Sequence, residues 1–375
     1  MKLIINLSNN LVGGGLQVAL SFIEECKIFS SHAFHIFLGE NVKKQIDVNS
    51  FPDNFIFYNI NKVKFWRISR ILRPLEKKIK PDCVFTVFGP SYWRPKSPHL
   101  MGYAYGHYIY YDYSYYKYIS YLKKIKIKIK GLFHLFLFKQ QADCFVVETD
   151  DAKERLKNLL NINKVYVVFN TCGSYYYNYY DFPKKLPEKN IDEIRLITIT
   201  RYYVHKYLES IPLVINELLN KNIKNVTFTL TLEHKDYERI IPKELRKYVY
   251  NAGPINVNEC PSLYKECDIL YLPTLLETFS ASYPEAMVME KPILTSDLSF
   301  AHSICGNAAL YFDPFSAKDI ADKIELLINN NELCKKLVNS GKERLVDFGT
   351  ANDRAKKYLN ICENIVTDKK IENEE

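Results

Sequence analysis

Several features are missing from this chain of 375 residues, and each absence narrows what it can be. There is no uninterrupted apolar run of about 18 residues, so no membrane-spanning helix is expected. The nine cysteines (26, 83, 144, 172, 260, 267, 305, 334 and 362) are odd in number, scattered and without a C-x-x-C pair. That pattern argues against a disulfide or zinc framework and for reduced thiols in a cytoplasmic protein. No G-x-G-x-x-G fingerprint opens the chain, so a nicotinamide cofactor is not supported. No D-x-D pair is present, so no metal ion and no other cofactor is expected. The first apolar stretch, Lys2-Leu-Ile-Ile-Asn, is too short for a signal h-region and reads as a strand. The charge excess is moderate, 51 basic against 43 acidic residues or +8, which suits an anionic substrate or an anionic membrane surface; no nucleic-acid partner is expected.

What is present reads as alternating strands and helices. Hydrophobic residues make up 47% and charged residues 25%, ordinary for a globular protein, and the length favours two domains. Strands are expected at 3–7, 34–38, 55–58, 83–88, 100–105, 144–147 and 165–169, with helices between them; Pro74 should kink the helix 68–79 or mark its start. Such alternation predicts a parallel, doubly wound sheet. A loop at 9–15, ending in three glycines at 13–15, joins the first strand to a helix expected over 16–26, the arrangement that turns backbone N–H groups toward a phosphate, although three glycines also make a plain flexible turn. Trp93 and Arg94 lie in a turn after a strand's carboxyl end, where open sheets bind ligands, and are candidate acceptor contacts. Residues 175–191 are polar and carry Pro183 and Pro187, a linker composition. Strands at 195–200, 226–232 and 268–272 and helices beyond them form a second series.

One stretch organises the rest: Tyr271-Leu-Pro-Thr-Leu-Leu-Glu277-Thr-Phe-Ser-Ala-Ser-Tyr-Pro-Glu285, followed by Ala286, Met287 and Pro292. It reads as strand, loop, helix and next strand, with Ser280 and Ser282 as N-cap candidates and Pro284 in the first turn. Two carboxylates, Glu277 and Glu285, bracket a loop beside a helix start, where free N–H groups hold anions.

This stretch resembles the E-x7-E motif of retaining glycosyltransferases of the GT-B fold, family 4. The family pattern runs roughly P-S-x-x-E-G-F-G-x-x-x-x-E-A-M-A-x-G-x-P. The chain keeps Pro273, Glu277, Phe279, Glu285, Ala286, Met287 and Pro292; it has Thr278, Ser280 and Glu290 where glycines are usual, and Ser303 where a glutamate is usual. Arg201 and Lys206 match the family's R-x-x-x-x-K before a helix, with Thr200 in place of a glycine. Gly14 and Gly15 match its glycine pair, and His107 matches a histidine of its N-terminal domain.

The resemblance implies an α/β fold of two Rossmann-like domains facing across a cleft, with a C-terminal helix crossing back. It divides the chain at 1–175, a linker 176–192, 193–348, and a crossing helix and tail 349–375. It implies transfer of a sugar, with retained configuration, from a nucleotide-diphosphate-sugar to a saccharide or lipid-linked saccharide acceptor in polysaccharide or glycolipid synthesis. Glu277 and His107 would serve catalysis; Gly14, Gly15, Arg201, Lys206, Thr278, Phe279, Ser280, Ala281 and Glu285 would bind the donor. The cations at 201 and 206 would neutralise the diphosphate in place of a metal. Two alternatives stay open: a same-fold epimerase or phosphorylase, and a non-catalytic sugar-nucleotide-binding subunit. Finally, residues 115–139 interleave seven lysines with aromatic and aliphatic residues. The alternation within 123–130 suits a strand, but the element order that the family resemblance implies suits a long helix, which is preferred. Its basic and apolar content suits peripheral binding to an anionic membrane, and equally a solvated lysine face on a buried helix.

Overall fold

Strands β1 (Lys2–Leu7), β2 (Ala33–Leu38), β3 (Phe55–Asn59), β4 (Cys83–Thr86), β5 (His99–Gly102), β6 (Cys144–Val147) and β7 (Val165–Val167) are short, mostly apolar runs, as strands buried on both faces must be. The computed structural model in which they are seen describes residues 1–9, 13–61, 64–113 and 115–374, apart from the side chains of 370, 373 and 374. These strands form one parallel sheet in the order β3-β2-β1-β4-β5-β6-β7. Alternate residues point to opposite faces. Leu3, Ile5 and Leu7 pack with Phe22 of helix α1 (Gly13–Glu25), while Ile4, Phe37 and Val84 pack with Ile68 and Leu72 of helix α2 (Phe65–Ile79). Helix α3 spans Tyr121–Gln141, and α4, Asp150–Leu160, is capped by Thr149, whose side chain accepts from the Ala152 N–H.

The C-terminal helix, Ala351–Glu374, belongs to this unit. Tyr358 stacks edge-on against Phe22 at 5.2 Å, and Arg354 reaches Ser21 and Asn170. The first compact unit thus comprises 1–111, 118–170 and 350–375.

The second unit comprises 112–117 and 171–349. Strands β8 (Ile194–Thr198), β9 (Val226–Leu230), β10 (Val249–Asn251), β11 (Ile269–Leu272), β12 (Ile293–Ser296) and β13 (Ala309–Phe312) form a parallel sheet in the order β10-β9-β8-β11-β12-β13. Helices α5 (Ile211–Asn220), α6 (Cys260–Lys265), α7 (Ser282–Val288), α8 (Ser299–Cys305) and α9 (Asn331–Phe348) are among its helices. Residues 182–186 are tied to α6 and the residue after it: Phe182 N–H donates to Ser262, and the Lys185 and Leu186 N–H groups donate to Glu266. Each sheet reverses its strand order beside its first strand, between β1 and β4 in one and between β8 and β11 in the other. The loops that splay apart at the carboxyl ends there form the crevice in which such sheets bind ligands.

Several expectations are corrected. Helix α2 begins at Phe65 and runs through Pro74, so the proline neither starts nor ends it; packing of Ile68, Leu72 and Ile79 on the sheet outweighs the lost N–H. Strands β4 and β5 stop at Thr86 and Gly102, earlier than their apolar runs suggested. The expected long helix is present as α3, which the period-two run of lysine and isoleucine did not settle. Among the described residues no helix is long and apolar enough to cross a membrane, and all nine cysteines are free thiols.

Candidate functional site

In the second unit the crevice loops are those following β8 and β11, and they carry most of the singled-out residues. The loop after β8 places Arg201 in solvent and coils Val204–Lys206 into a single 3-10 turn. The His205 carbonyl accepts from the Leu275 N–H at 2.7 Å and lies 3.2 Å from the Thr274 hydroxyl, fastening this loop to the one after β11. Thr274 Oγ1 is also 3.3 Å from Glu277 Oε1. Held this way, Lys206 Nζ forms an ion pair with Glu277, both side chains being nearly buried. A carboxylate and an ammonium are therefore poised together, each able to exchange its partner for a ligand group of opposite charge.

Thr278, Phe279 and Ser280 are buried, with Phe279 edge-on to Phe348 at 5.9 Å. What they and Ala281 can offer a ligand is backbone. None of the four N–H groups donates to an acceptor among the described residues. Neither Thr278 nor Ser280 has a positive φ, so this loop needs no glycine at those places. Glu290 does adopt φ +55, the left-handed region, at the third place where glycine is usual.

The helix that follows corrects the capping expectation. Ser282 is already its first residue, Ala281 is its N-cap, and no side chain caps it. Glu285 sits in the first turn, over Tyr176 and Tyr264, which are buried. Burial pushes its carboxyl up to about 7, opposed by the hydroxyls of Tyr176 and Tyr264 and then by the Lys206 charge. A carboxylate titrating near neutrality beside four open N–H groups is the most perturbed acid of this edge. Tyr176, Tyr264, Thr274 and His205 were not foreseen; only Thr274, inside the motif, carried a signal.

In the first unit, Gly14 and Gly15 lie in the first turn of α1 and not in a loop before it; residues 10–12, the rest of the expected loop, lie outside the described residues. A Cβ at Gly14 would meet nothing within 4 Å, whereas at Gly15 it would touch the Phe88 ring at 3.4 Å, past the end of β4. His107, half-buried, stands in the one-turn helix Gly106–Ile109 beyond β5, between Tyr105 and Tyr108. Both places are on the carboxyl edge of that unit's sheet.

Trp93 is corrected. Trp93 is 1% exposed and packs in the core against Phe37, at 6.2 Å between rings. The turn folds inward because Ser91 bonds the Trp93 carbonyl at 2.5 Å and Gln141 accepts from the Tyr92 N–H at 2.9 Å. Arg94 is bound to Asp143 at 2.5 Å. Trp93→Ala should cost about 3–5 kcal/mol of stability, read as a lowered unfolding midpoint, with nucleotide affinity unchanged. Ser303 is the fifth residue of α8; its carbonyl accepts from Arg344 at 2.7 Å, and its neighbour His302 pairs with Asp297 at 2.6 Å.

Residues 181–344 match the family model described as glycosyl transferases group 1. This part of the chain is a domain similar to the group 1 glycosyl transferases. That domain holds Arg201, Lys206, Glu277 and Glu285. Its relatives include an uncharacterized glycosyltransferase of Methanocaldococcus jannaschii, 28% identical over 34% of this chain and 38% of that protein. Another is the N,N'-diacetylbacillosaminyl-diphospho-undecaprenol alpha-1,3-N-acetylgalactosaminyltransferase of Campylobacter jejuni, 29% identical over 31% of this chain and 32% of that one. The chain thus spans less than half the length of these curated relatives. Among solved structures, the Anabaena protein HepE in complex with UDP-glucose shares 12% identity and a TM-score of 0.68, over 98% of this chain and 100% of that one. Likeness at that level shows the fold, which is GT-B.

Proposed function

We propose that this protein transfers a sugar, with retention, from a nucleotide-diphosphate-sugar to an acceptor hydroxyl in the synthesis of a surface polysaccharide or glycolipid. The observation that carries the reading is the convergence, at the crevice of the second unit, of the Lys206–Glu277 pair, four unengaged N–H groups and Glu285. In this reading Arg201, Lys206 and the 278–281 N–H groups bind the diphosphate, Glu285 accepts from the ribose hydroxyls, and Glu277 holds the donor sugar and faces charge developing at its anomeric carbon. Gly14 and Gly15 leave backbone open to the donor phosphates, and His107 orients the reacting hydroxyls. The cations, not a metal, are given the charge-neutralising part. A nucleotide-sugar donor is supported by the UDP-glucose held by the Anabaena protein. A lipid-linked saccharide acceptor, met by a peripheral protein at the inner membrane face, is supported by the name of the Campylobacter relative.

Titration with UDP- and GDP-sugars, followed by thermal shift, tests the reading, because a bound ligand stabilises the fold by mass action. Arg201→Ala and Lys206→Ala should each weaken nucleoside diphosphate and sugar nucleotide by about 1.5–3 kcal/mol, and the bare nucleoside much less. Equal losses for all three ligands would remove the phosphate role. Release of nucleoside diphosphate in the presence of acceptor separates transfer from a binding-only subunit. Free sugar without acceptor, or a requirement for inorganic phosphate, would indicate the epimerase or the phosphorylase.

A further inference from the structure

Helix α3 carries two apolar stripes where a helix on the surface of a globular unit needs one. Gly131, His134, Phe138 and Gln141 face inward and are buried. Ile125, Ile129, Leu132 and Phe136, at i, i+4, i+7 and i+11, face the opposite way with Leu122 and Phe133, and all six are exposed; Leu122, Ile129, Leu132 and Phe136 are each more than 60% exposed. At about 100° per residue, Lys126 borders this outer stripe on one side and Lys128 and Lys139 on the other. The helix has six lysines and no acidic residue.

The start of α2 extends the surface. Phe65 and Trp66 are 44% and 56% exposed, and the Phe65 ring meets Phe133 of α3 at 5.7 Å. Lys64 lies over the Trp66 ring at 5.1 Å, and exposed Arg70, Arg73 and Lys77 follow Trp66 on its own face of α2. From this patch rings continue inward. Phe65 touches Tyr92, Tyr92 touches His134, and His134 touches Tyr105 and Tyr108, the two tyrosines that flank His107.

We propose that the outer stripe of α3 and the start of α2 together dock on an anionic bilayer, α3 lying in the plane of the interface, and that the ring series leads from that bilayer to the His107 loop. The acceptor clause rests on the proposed transferase function; the docking does not. A bilayer is the occupant that matches both properties of the surface. Aliphatic and aromatic side chains enter the acyl boundary, while lysines along the stripe's borders meet anionic head groups. A second copy of the chain fits badly, because it would set an acid-free, lysine-bordered helix against another one, and lysine is depleted in protein interfaces. The docking surface is thus narrower than residues 115–139 and reaches outside them: Tyr115 is buried, and residues 112–117 group with the second unit.

The test is co-sedimentation of the full chain with vesicles of phosphatidylglycerol and phosphatidylcholine, and with phosphatidylcholine alone. The wild type should bind the anionic vesicles at low salt and keep part of that binding at high salt. Lys126→Gln with Lys128→Gln and Lys139→Gln should lower low-salt binding on the order of 100-fold. Trp66→Ser with Leu132→Ser and Phe136→Ser should lose the salt-resistant part, with an unchanged melting temperature because all three side chains are exposed. No binding by the wild type at low salt, or wild-type binding by both variants, would overturn the proposal. A concentration-dependent dimer in sedimentation velocity that only the apolar variant loses would assign the stripe to a second copy instead. UDP and GDP thermal shifts run in parallel report the donor site alone, so failure of the transferase reading and failure of docking are told apart.

Discussion

Glu277→Gln should lower turnover by about 100-fold or more while leaving affinity for the nucleoside diphosphate unchanged or slightly tighter. The two halves of this expectation have one structural cause. Glu277 is the counter-charge of Lys206, so a diphosphate must take Lys206 away from it. The amide keeps the shape and hydrogen-bonding capacity of the carboxylate but removes that competition. The same change removes the negative charge proposed to face the anomeric carbon as its bond to the leaving phosphate lengthens. Steady-state kinetics beside calorimetric titration of the nucleoside diphosphate separate the effects. A parallel fall in both would mean that the loop had come apart, since Thr274 and His205 depend on the same contacts. Unchanged turnover would reduce Glu277 to a partner of Lys206.

Donor affinity should weaken as pH falls through about 7, and Glu285→Gln should flatten that dependence. The ionised carboxylate accepts two ribose hydroxyls, whereas the protonated one must spend a lone-pair site on its own proton. Glu285→Ala should cost about 1.5–3 kcal/mol of donor binding, roughly 10- to 150-fold. Stability carries the opposite sign. The carboxyl is pushed from 4.5 to about 7 by burial, so it is neutral in both folded and unfolded chains below pH 4.5 and contributes nothing there. As pH rises from 4.5 toward 7 the unfolded chain loses the proton first, and the folded state is progressively penalised. Glu285→Gln should therefore raise the unfolding midpoint at pH 8 relative to the wild type, and the gain should vanish near pH 4. A gain that is independent of pH, or donor binding that is equally pH-dependent in the Gln variant, would separate Glu285 from the ribose role.

Trp93 and the α3 stripe show where linear reading stops. After a strand, in a turn bounded by Pro90 and Pro95, a tryptophan beside an arginine looks like a binding surface. Whether it points out or in depends on Ser91 and on Gln141, fifty residues away from Ser91 in the chain, which hold the turn against the core. Likewise the lysine and isoleucine alternation at 123–130 fits a period of two or the sides of a helix, and only the packing of His134 and Phe138 shows which face is spent on the core. The outward stripe then remains, joined by Phe65 and Trp66 from a part of the chain with no sequence link to it.

The sequence by itself determined the alternating α/β order, the absence of disulfide spacing, and the motif residues Arg201, Lys206, Glu277 and Glu285. These are local matters: periodicity, strand-ending turns and short-range spacing suffice for them. Only the tertiary structure decided that Lys206 and Glu277 neutralise one another, that Thr278 and Ser280 sit without strain, and that Glu285 titrates near neutrality. Ion pairing, backbone conformation and desolvation depend on which side chains the strand-order reversal of the second unit brings within a few ångströms, and no spacing along the chain encodes that distance.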